Sequence, residues 1–532
     1  MPDKVVFVNG KVFVADAARS WARAVAVENG TIVAVGHESD VSEFVPGAEV
    51  IDLEGRLLTP GFTDAHVHPH HGGRTLLSCN LLEANDADDA LDVIRAYAAQ
   101  HPGDDWITGG GWSQGWFTGA CPSAAMLDAV IADRPVFLVN SDGHGAWANS
   151  VALSNAGVMA STEDPADGRI ERLEDGSPQG TLHEGAMDLV EAAVPVPTAE
   201  DVEAALLAGQ RHLLSFGITG WQDAWVEPAL HAAYQAVAGR GELIGRVVGA
   251  LWWDRSGDLA QLETIEGWRA GAAPRYQPTT VKMMLDGVLE NFTGSMLEPY
   301  HQVGGTGIDM IDPRRLDEYV AAVDAAGFQI HFHVIGDAAV RHALDAVEAA
   351  RMSNGWSDLR HGLSHIQIVH PDDIARFHRL GVAAVFQPLW ASYYDEHLTE
   401  PFLGEDRFSW QYPFGSLVAS GATLVGGSDW SVSTCDVMHQ IEVATTRRPV
   451  SDRQMKPLNP AEAIDPVTGL AAYTAGSAWF NHQENQRGTI AVGKVADLVV
   501  LDRDPFVDGP LGDALVDMTF VDGRLVYERK GT

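Results

Sequence analysis

Thr59-Pro60-Gly61-Phe62-Thr63-Asp64-Ala65-His66-Val67-His68 is a short apolar run that ends in two imidazoles. On a strand, side chains two apart share a face, so His66 and His68 can aim at one point. A divalent cation needs that convergence. The spacing alone is a weak signal, because a histidine exposed where a strand enters its loop satisfies it equally. Its weight rests on whether partners stand at the ends of later strands.

Apolar strand-like runs recur near 61–67, 218–224, 245–252, 280–286, 328–334, 363–369, 382–387 and 423–428. Helical patterns occupy 199–215, 228–240, 313–326, 337–352, 371–380 and 461–475. This alternation marks βα units around a parallel sheet, and eight such runs predict an α/β fold, a (β/α)8 TIM-like barrel. The clearest helix follows Gly336, with Ala338, Val340, Leu344 and Val347 as its apolar stripe and Asp337 expected at the cap position. Between about 75 and 198 the alternation fails. That stretch is expected to be an insertion over the barrel mouth, where long loops serve binding or closure.

Both ends of the chain read differently. Val5–Val8 and Lys11–Val14 flank Asn9-Gly10, and Ala24–Val27 and Thr31–Val35 flank Asn29-Gly30, which predicts two hairpins. Glu49–Leu53 and Arg56–Leu58 add a further pair around Gly55. Gly488–Val492, Ala496–Leu501, Asp517–Val521 and Arg524–Tyr527 repeat the texture near the C-terminus. Short sheets are marginal alone, so residues 1–58 and 485–532 are expected to form one small β-sandwich domain around a barrel spanning 59–484.

Several strand ends carry chemistry. Lys282 lies inside the apolar run Thr280–Leu285, and a lone buried ammonium is costly. It is either salt-bridged or snorkelling, with Asp286 or Glu184 as partner, or carboxylated by carbon dioxide into an anionic ligand. With the rest of the site in view, the carboxylated form is preferred. His331 and His333 form a second HxH, in which His333 stands nearer the C-terminal end and His331 suits a hydrogen-bonded core position. His365 ends another apolar run, with His361 in the loop before it, and Asp429 follows Thr423–Ser428. Taken singly, each is an ordinary core histidine or turn carboxylate. Together they place nitrogen and oxygen donors at the ends of separate strands, which only the C-terminal face of a barrel unites.

Composition narrows the class. The chain has 532 residues, 46% hydrophobic and 20% charged, as a globular protein does. No apolar run approaches the roughly 20 residues that span a bilayer, and no signal-peptide pattern opens the chain. Its formal net charge of −38 disfavours nucleic acid and anionic membranes as partners. A small-molecule substrate is expected, with room for a homo-oligomer. Cys79, Cys121 and Cys435 are far apart and odd in number, which suits a reducing, cytoplasmic setting and argues against a thiolate metal site.

With these residues in hand, the chain resembles the metal-dependent amidohydrolases. PGFTDAHVH, HFHVIGD, LSHIQIVH and GGSDW are similar to that superfamily's strand-end motifs, most closely to amidohydrolase family 3, which includes N-substituted formamide deformylases. The resemblance covers almost the whole chain, including NSDGHGAWANS within the insertion. It implies one or two divalent ions, zinc by preference, held by His66, His68, His333, His365 and Asp429. It places Lys282 where many members carry a carboxylated lysine, with Glu184 as the competing candidate. The implied activity is hydrolysis of a carbon–nitrogen bond in a small non-peptide amide, with an N-substituted formamide as leading substrate. The metal supplies hydroxide, and Asp429 passes the water proton to the leaving nitrogen. His144 and Asn149 are candidate substrate contacts, and Trp112, Trp116, Phe117, Trp390 and Tyr393 a candidate apolar wall.

Other readings stand beside this one. The same site could act on cyclic amides, lactones or esters, because fold does not choose among them. Gly111-Trp112-Ser113-Gln114-Gly115 fits G-x-S-x-G, a serine-hydrolase signal that needs a strand before it and a helix after it. A non-catalytic metal-binding barrel is the third alternative, disfavoured because every expected ligand type is present.

Overall fold

The computed structural model describes residues 4–530 except 83, 104–105, 118–120, 142, 144, 166–167, 290–291 and 393–395. It divides into two compact units, residues 1–68 with 210–532, and residues 69–209.

In the first unit, eight parallel strands follow one another in chain order: β1 (Phe62–Val67), β2 (Ile218–Val226), β3 (Arg246–Trp252), β4 (Tyr276–Met284), β5 (Gln329–Val334), β6 (Gly362–His365), β7 (Ala383–Phe386) and β8 (Leu424–Gly426). Helices such as Pro228–Gly239, Pro313–Ala325, Asp337–Asn354 and Pro371–Leu380 occupy the connections. This is a (β/α)8 barrel. Beyond its last strand the chain bonds back to the first: Asp429 N donates to His66 O at 2.8 Å, and His68 N to Trp430 O at 2.7 Å. Gly427 permits this approach, since a Cβ there would lie 2.7 Å from His66 Cβ.

Both termini build the β-sheets of the same unit. One sheet orders Thr31–Gly36, Ala24–Glu28, Lys4–Val8 and Glu49–Asp52. The other orders Arg524–Glu528, Val516–Val521, Leu498–Leu501, Leu57–Pro60, Lys11–Phe13 and Trp21–Ala22. Val5, Phe7 and Val25 from the first sheet share a core with Leu58, Leu498, Val500 and Phe520 from the second.

Some local expectations are corrected. Lys4–Val8 does not pair with Lys11–Phe13 across Asn9-Gly10; the turn passes the chain from one sheet to the other. Val5 and Phe7 face the shared core, while Val6 packs with Ala24, Ala26 and Val41. A strand buried on both faces between two neighbours removes more apolar surface from water than a two-stranded hairpin. Glu49–Asp52 and Leu57–Pro60 are likewise split between sheets, and Gly488–Val492 is not a strand. The hairpin at Asn29-Gly30 forms as read, and Val516–Val521 pairs with Arg524–Glu528 across Asp522-Gly523. Gly336 is the N-cap of its helix, and Asp337 is the first helical residue, buried and accepting Leu297 N at 2.9 Å.

Residues 69–209 are more than loops. They form a mixed six-stranded sheet ordered Gly168–Arg172, Pro178–Glu184, Gly145–Ala148, Val136–Asn140, Ile107–Trp112 and Cys79–Asn80. Two apolar clusters lie in this unit, one around Trp112, Leu138 and Trp147 and one around Phe137, Ala146 and Leu182. No helix of the described residues is long and apolar enough to cross a membrane.

The joint core of the terminal sheets is testable. Leu498→Ala removes a fully buried side chain from it and is expected to cost about 2–5 kcal/mol. The urea midpoint should fall accordingly; an unchanged midpoint would show that this core does not contribute to stability.

Candidate active site

The barrel brings His66, His68, Lys282, His333, His365 and Asp429 to the C-terminal ends of its strands. His66 stands near the end of β1, with His68 one residue beyond that strand. Lys282, His333 and His365 lie on β4, β5 and β6, and Asp429 lies three residues beyond β8. The Asp429 carboxylate is the meeting point: Oδ1 lies 3.3 Å from His66 Nε2 and 3.3 Å from His68 Nε2, and Oδ2 lies 4.0 Å from His365 Nδ1. The His333 and His365 rings are 4.4 Å apart, and those of His66 and His365 4.8 Å. His365 and Asp429 adopt φ of +72° and +60°, a left-handed conformation that costs a side-chain-bearing residue about 1–3 kcal/mol.

Burial sets the protonation of this cluster. It drives His66 and His365 well below the ordinary histidine range, helped by the neighbouring cations, so both rings are neutral. Burial alone would raise Asp429, but the His68 hydrogen bond and the electrostatic pull of the surrounding imidazoles and Lys282 outweigh it and hold the group below the ordinary carboxylate range. Lys282 is brought down to about 7 by burial, against the pull of Asp429. Among the described residues its ammonium makes no hydrogen bond or ion pair. Asp286, one of its expected partners, instead accepts the amides of Ser295, Ile335 and Gly336 and lies 3.4 Å from His333 Nδ1.

Behind His66 runs a buried relay that decides where its lone pair points. Gln329 Nε2 donates to the carbonyls of Arg360 (2.8 Å) and Phe480 (2.9 Å), so its oxygen must face the other way. There it accepts from Gln222 Nε2 at 2.8 Å and Thr280 Oγ1 at 2.8 Å. The Gln222 oxygen is thereby turned to His331 Nδ1, which donates to it. His331 Nε2 is left as an acceptor for His66 Nδ1 at 2.7 Å, and His66 Nε2 as a free lone pair toward Asp429. Asp64 braces the same strand end, its Oδ1 accepting His66 N at 3.1 Å and Ser428 N at 3.0 Å. Burial raises Asp64 to about 7.

These residues fit a divalent ion. Ligand atoms of His66, His365 and Asp429 lie within 4.8 Å of one another, the imidazoles are neutral and the carboxylate is charged. Imidazole and carboxylate together suit a borderline cation such as zinc. A profile of the Amidohydrolase family matches residues 49–527.

The chain belongs to the amidohydrolase family.

The N-substituted formamide deformylase of Arthrobacter pascens is 29% identical over 545 residues, covering 99% of each chain. An uncharacterized metal-dependent hydrolase from Pyrococcus horikoshii OT3 shares the fold with a TM-score of 0.76 at 23% identity, covering 95% of this chain and 98% of that one. An adenosine deaminase from Xanthomonas campestris, with bound Zn, aligns with a TM-score of 0.55 at 16% identity over 98% of this chain and 92% of its own. Family membership makes the protein a hydrolase acting on carbon–nitrogen bonds.

Of the remaining expected residues of this amidohydrolase, all but Trp390 and Tyr393 belong to the 69–209 unit. Asn149 is fully buried and fully used. Its Oδ1 accepts Val136 N and Ala152 N at 2.9 Å, and its Nδ2 donates to Ile131 O and Arg134 O. An amide has no further capacity, so Asn149 is a helix cap and not a substrate contact. Trp112 is also corrected: it is fully buried, and its indole N–H donates to Leu138 O at 2.8 Å. Trp116 and Phe117 are half-buried against the same cluster. Glu184 is exposed at the end of Pro178–Glu184. His144 and Tyr393 lie outside the described residues. Ser113 accepts the Gly115 amide at 3.3 Å, and a one-turn 3-10 helix follows where a nucleophile elbow needs an α-helix, which removes the serine-hydrolase reading.

Sequence reasoning missed Gln222, Gln329 and Asp64. Glutamines in apolar strands were a usable signal, because a buried amide must find partners. Gln222→Met deprives His331 of its acceptor and is expected to weaken metal binding about 10–100-fold, read by competition with a chelating dye. Affinity equal to that of the unaltered protein would show that the relay does not orient His66.

Proposed function

We propose that this amidohydrolase hydrolyses a small N-substituted formamide, with Asp429 as the proton shuttle. The observation that carries the reaction is the Asp429 carboxylate, 3.3 Å from both His66 Nε2 and His68 Nε2. The substrate rests on the deformylase relative, matched over 99% of both chains. His66, His68, His333, His365 and Asp429 would hold the ion, and the zinc in the deaminase neighbour favours zinc. A bound ion supplies Lewis acidity toward the carbonyl oxygen and lowers the pKa of water.

The chain supplies the rest. Asp429, held ionised, takes a proton from the attacking water and returns it to the departing nitrogen. Water adds across the carbonyl, the C–N bond breaks, and formic acid and an amine leave. Lys282 is assigned the carboxylated role in preference to Glu184. It is buried on β4 with its pKa near 7, so neutral amine is available to add carbon dioxide and release a proton, whereas Glu184 is exposed. With an unmodified lysine the donors would hold one ion, and a carboxylated Lys282 would add the anionic ligand that a second one needs. A cytoplasmic setting fits the three free cysteines.

Asp429→Asn should lower kcat on N-substituted formamides about 10²–10⁴-fold. Full activity in this variant would remove the shuttle role, and turnover confined to cyclic imides, lactones or esters would move the substrate class. No turnover by metal-loaded protein on any of these would favour a binding barrel. Reconstitution in buffer stripped of carbon dioxide should lower the metal content measured by elemental analysis toward one equivalent; unchanged content would argue against the carboxylated lysine.

A further inference from the structure

We propose that Cys121, Glu171 and His183 form a zinc-type metal site within the 69–209 unit. It rests on none of the reasoning about the barrel. Cys121 Sγ lies 3.9 Å from His183 Nε2, and Glu171 Oε1 lies 3.2 Å from the same nitrogen. The three donor atoms all fall within 4.8 Å of one another. Tetrahedral zinc with ordinary bond lengths places sulfur about 3.6 Å and oxygen about 3.4 Å from a shared imidazole nitrogen. The observed edges bracket those values.

The shared nitrogen excludes the other reading of a cysteine, a histidine and a carboxylate. A nucleophilic relay uses the two imidazole nitrogens separately, one for the thiol and one for the acid. Here both partners converge on Nε2, as ligands of one ion do.

The fold builds this arrangement. Glu171 and His183 lie on the paired antiparallel strands Gly168–Arg172 and Pro178–Glu184. The segment carrying Cys121 is tied down next to them: Gln179 Nε2 donates to Cys121 O at 3.1 Å and Thr181 Oγ1 to Pro122 O at 2.7 Å. Trp147 Nε1 holds Ser123 O at 2.8 Å. Gly180, with φ of +127°, has no room for a Cβ because Ala124 N would lie 2.2 Å away. All three donors are half-buried, which leaves an entry path.

Arg169 is the competing cation, donating to Glu171 Oε1 from Nε at 2.9 Å and Nη2 at 2.6 Å. Its side chain is 64% exposed, and such surface pairs are weak enough to yield. Burial and the charge of Glu171 raise the Cys121 thiol, so binding would exchange its proton for the ion, forming a sulfur–metal bond and releasing one H⁺. A thiolate, an imidazole and one carboxylate select zinc-like ions over magnesium or calcium and leave a fourth position for water or a small anion. The ion would pin the Cys121 segment to the strand pair.

Cobalt(II) added to the metal-stripped full-length protein should produce a thiolate-to-cobalt charge-transfer band in the near ultraviolet. The barrel donors are nitrogen and oxygen, so Asp429→Asn should retain the band, while Cys121→Ser and His183→Gln should lose it. A second measurement uses the unaltered protein. Cys79 and Cys435 are fully buried, so a disulfide reagent should titrate Cys121 alone, and one equivalent of zinc should slow that reaction about ten-fold or more. A band that persists in Cys121→Ser, or zinc that leaves the thiol equally reactive, would overturn the site.

Discussion

Two backbone hydrogen bonds, Asp429 N to His66 O and His68 N to Trp430 O, join the segment after the last barrel strand to the first. They depend on Gly427, which lets the two strands approach. The same bonds align the Asp429 carboxylate with both imidazoles of the first HxH, since His66, His68 and Asp429, which meet through their side chains, also supply both donors and one of the two acceptors. Barrel closure and assembly of the chemistry are therefore one event. A residue that opened the seam would unfold the barrel and disperse the site together.

The cluster is also fixed from behind. Burial makes the histidines neutral, but a neutral imidazole still has two tautomers, and only one presents Nε2 as a ligand. The choice propagates from the carbonyls of Arg360 and Phe480 through Gln329, Gln222 and His331 to His66. Each member of this chain is buried, so none can take water as a substitute partner. Asp286, anchored by three backbone amides, lies 3.4 Å from His333 Nδ1.

Residues 69–209 show how a segment that breaks a βα rhythm can still be ordered. Its strands pair among themselves, and its tryptophans are consumed by two cores within the unit. That is why Trp112 and Asn149, which have the right chemistry for a substrate pocket, are structural. Aromatic and amide side chains serve cores and binding sites equally well, and only their hydrogen-bond inventory separates the two uses.

Much of the fold was legible because periodicity is local. All eight barrel strands, and most of the helices that follow them, coincide with apolar runs and stripes in the sequence. His66, His68, Lys282, His333, His365 and Asp429 stood out because polar groups at the ends of apolar strands are costly without a purpose. The sequence by itself determined the barrel, its donor types and the turns at Asn9-Gly10 and Asn29-Gly30. Tertiary structure alone decided that the Asn9-Gly10 turn joins strands of two different sheets, because a turn signal specifies a reversal and not a partner. It also decided the tautomer of His66 and the meeting of Cys121 with Glu171 and His183, since hydrogen-bond direction and side-chain convergence arise between residues far apart in the chain.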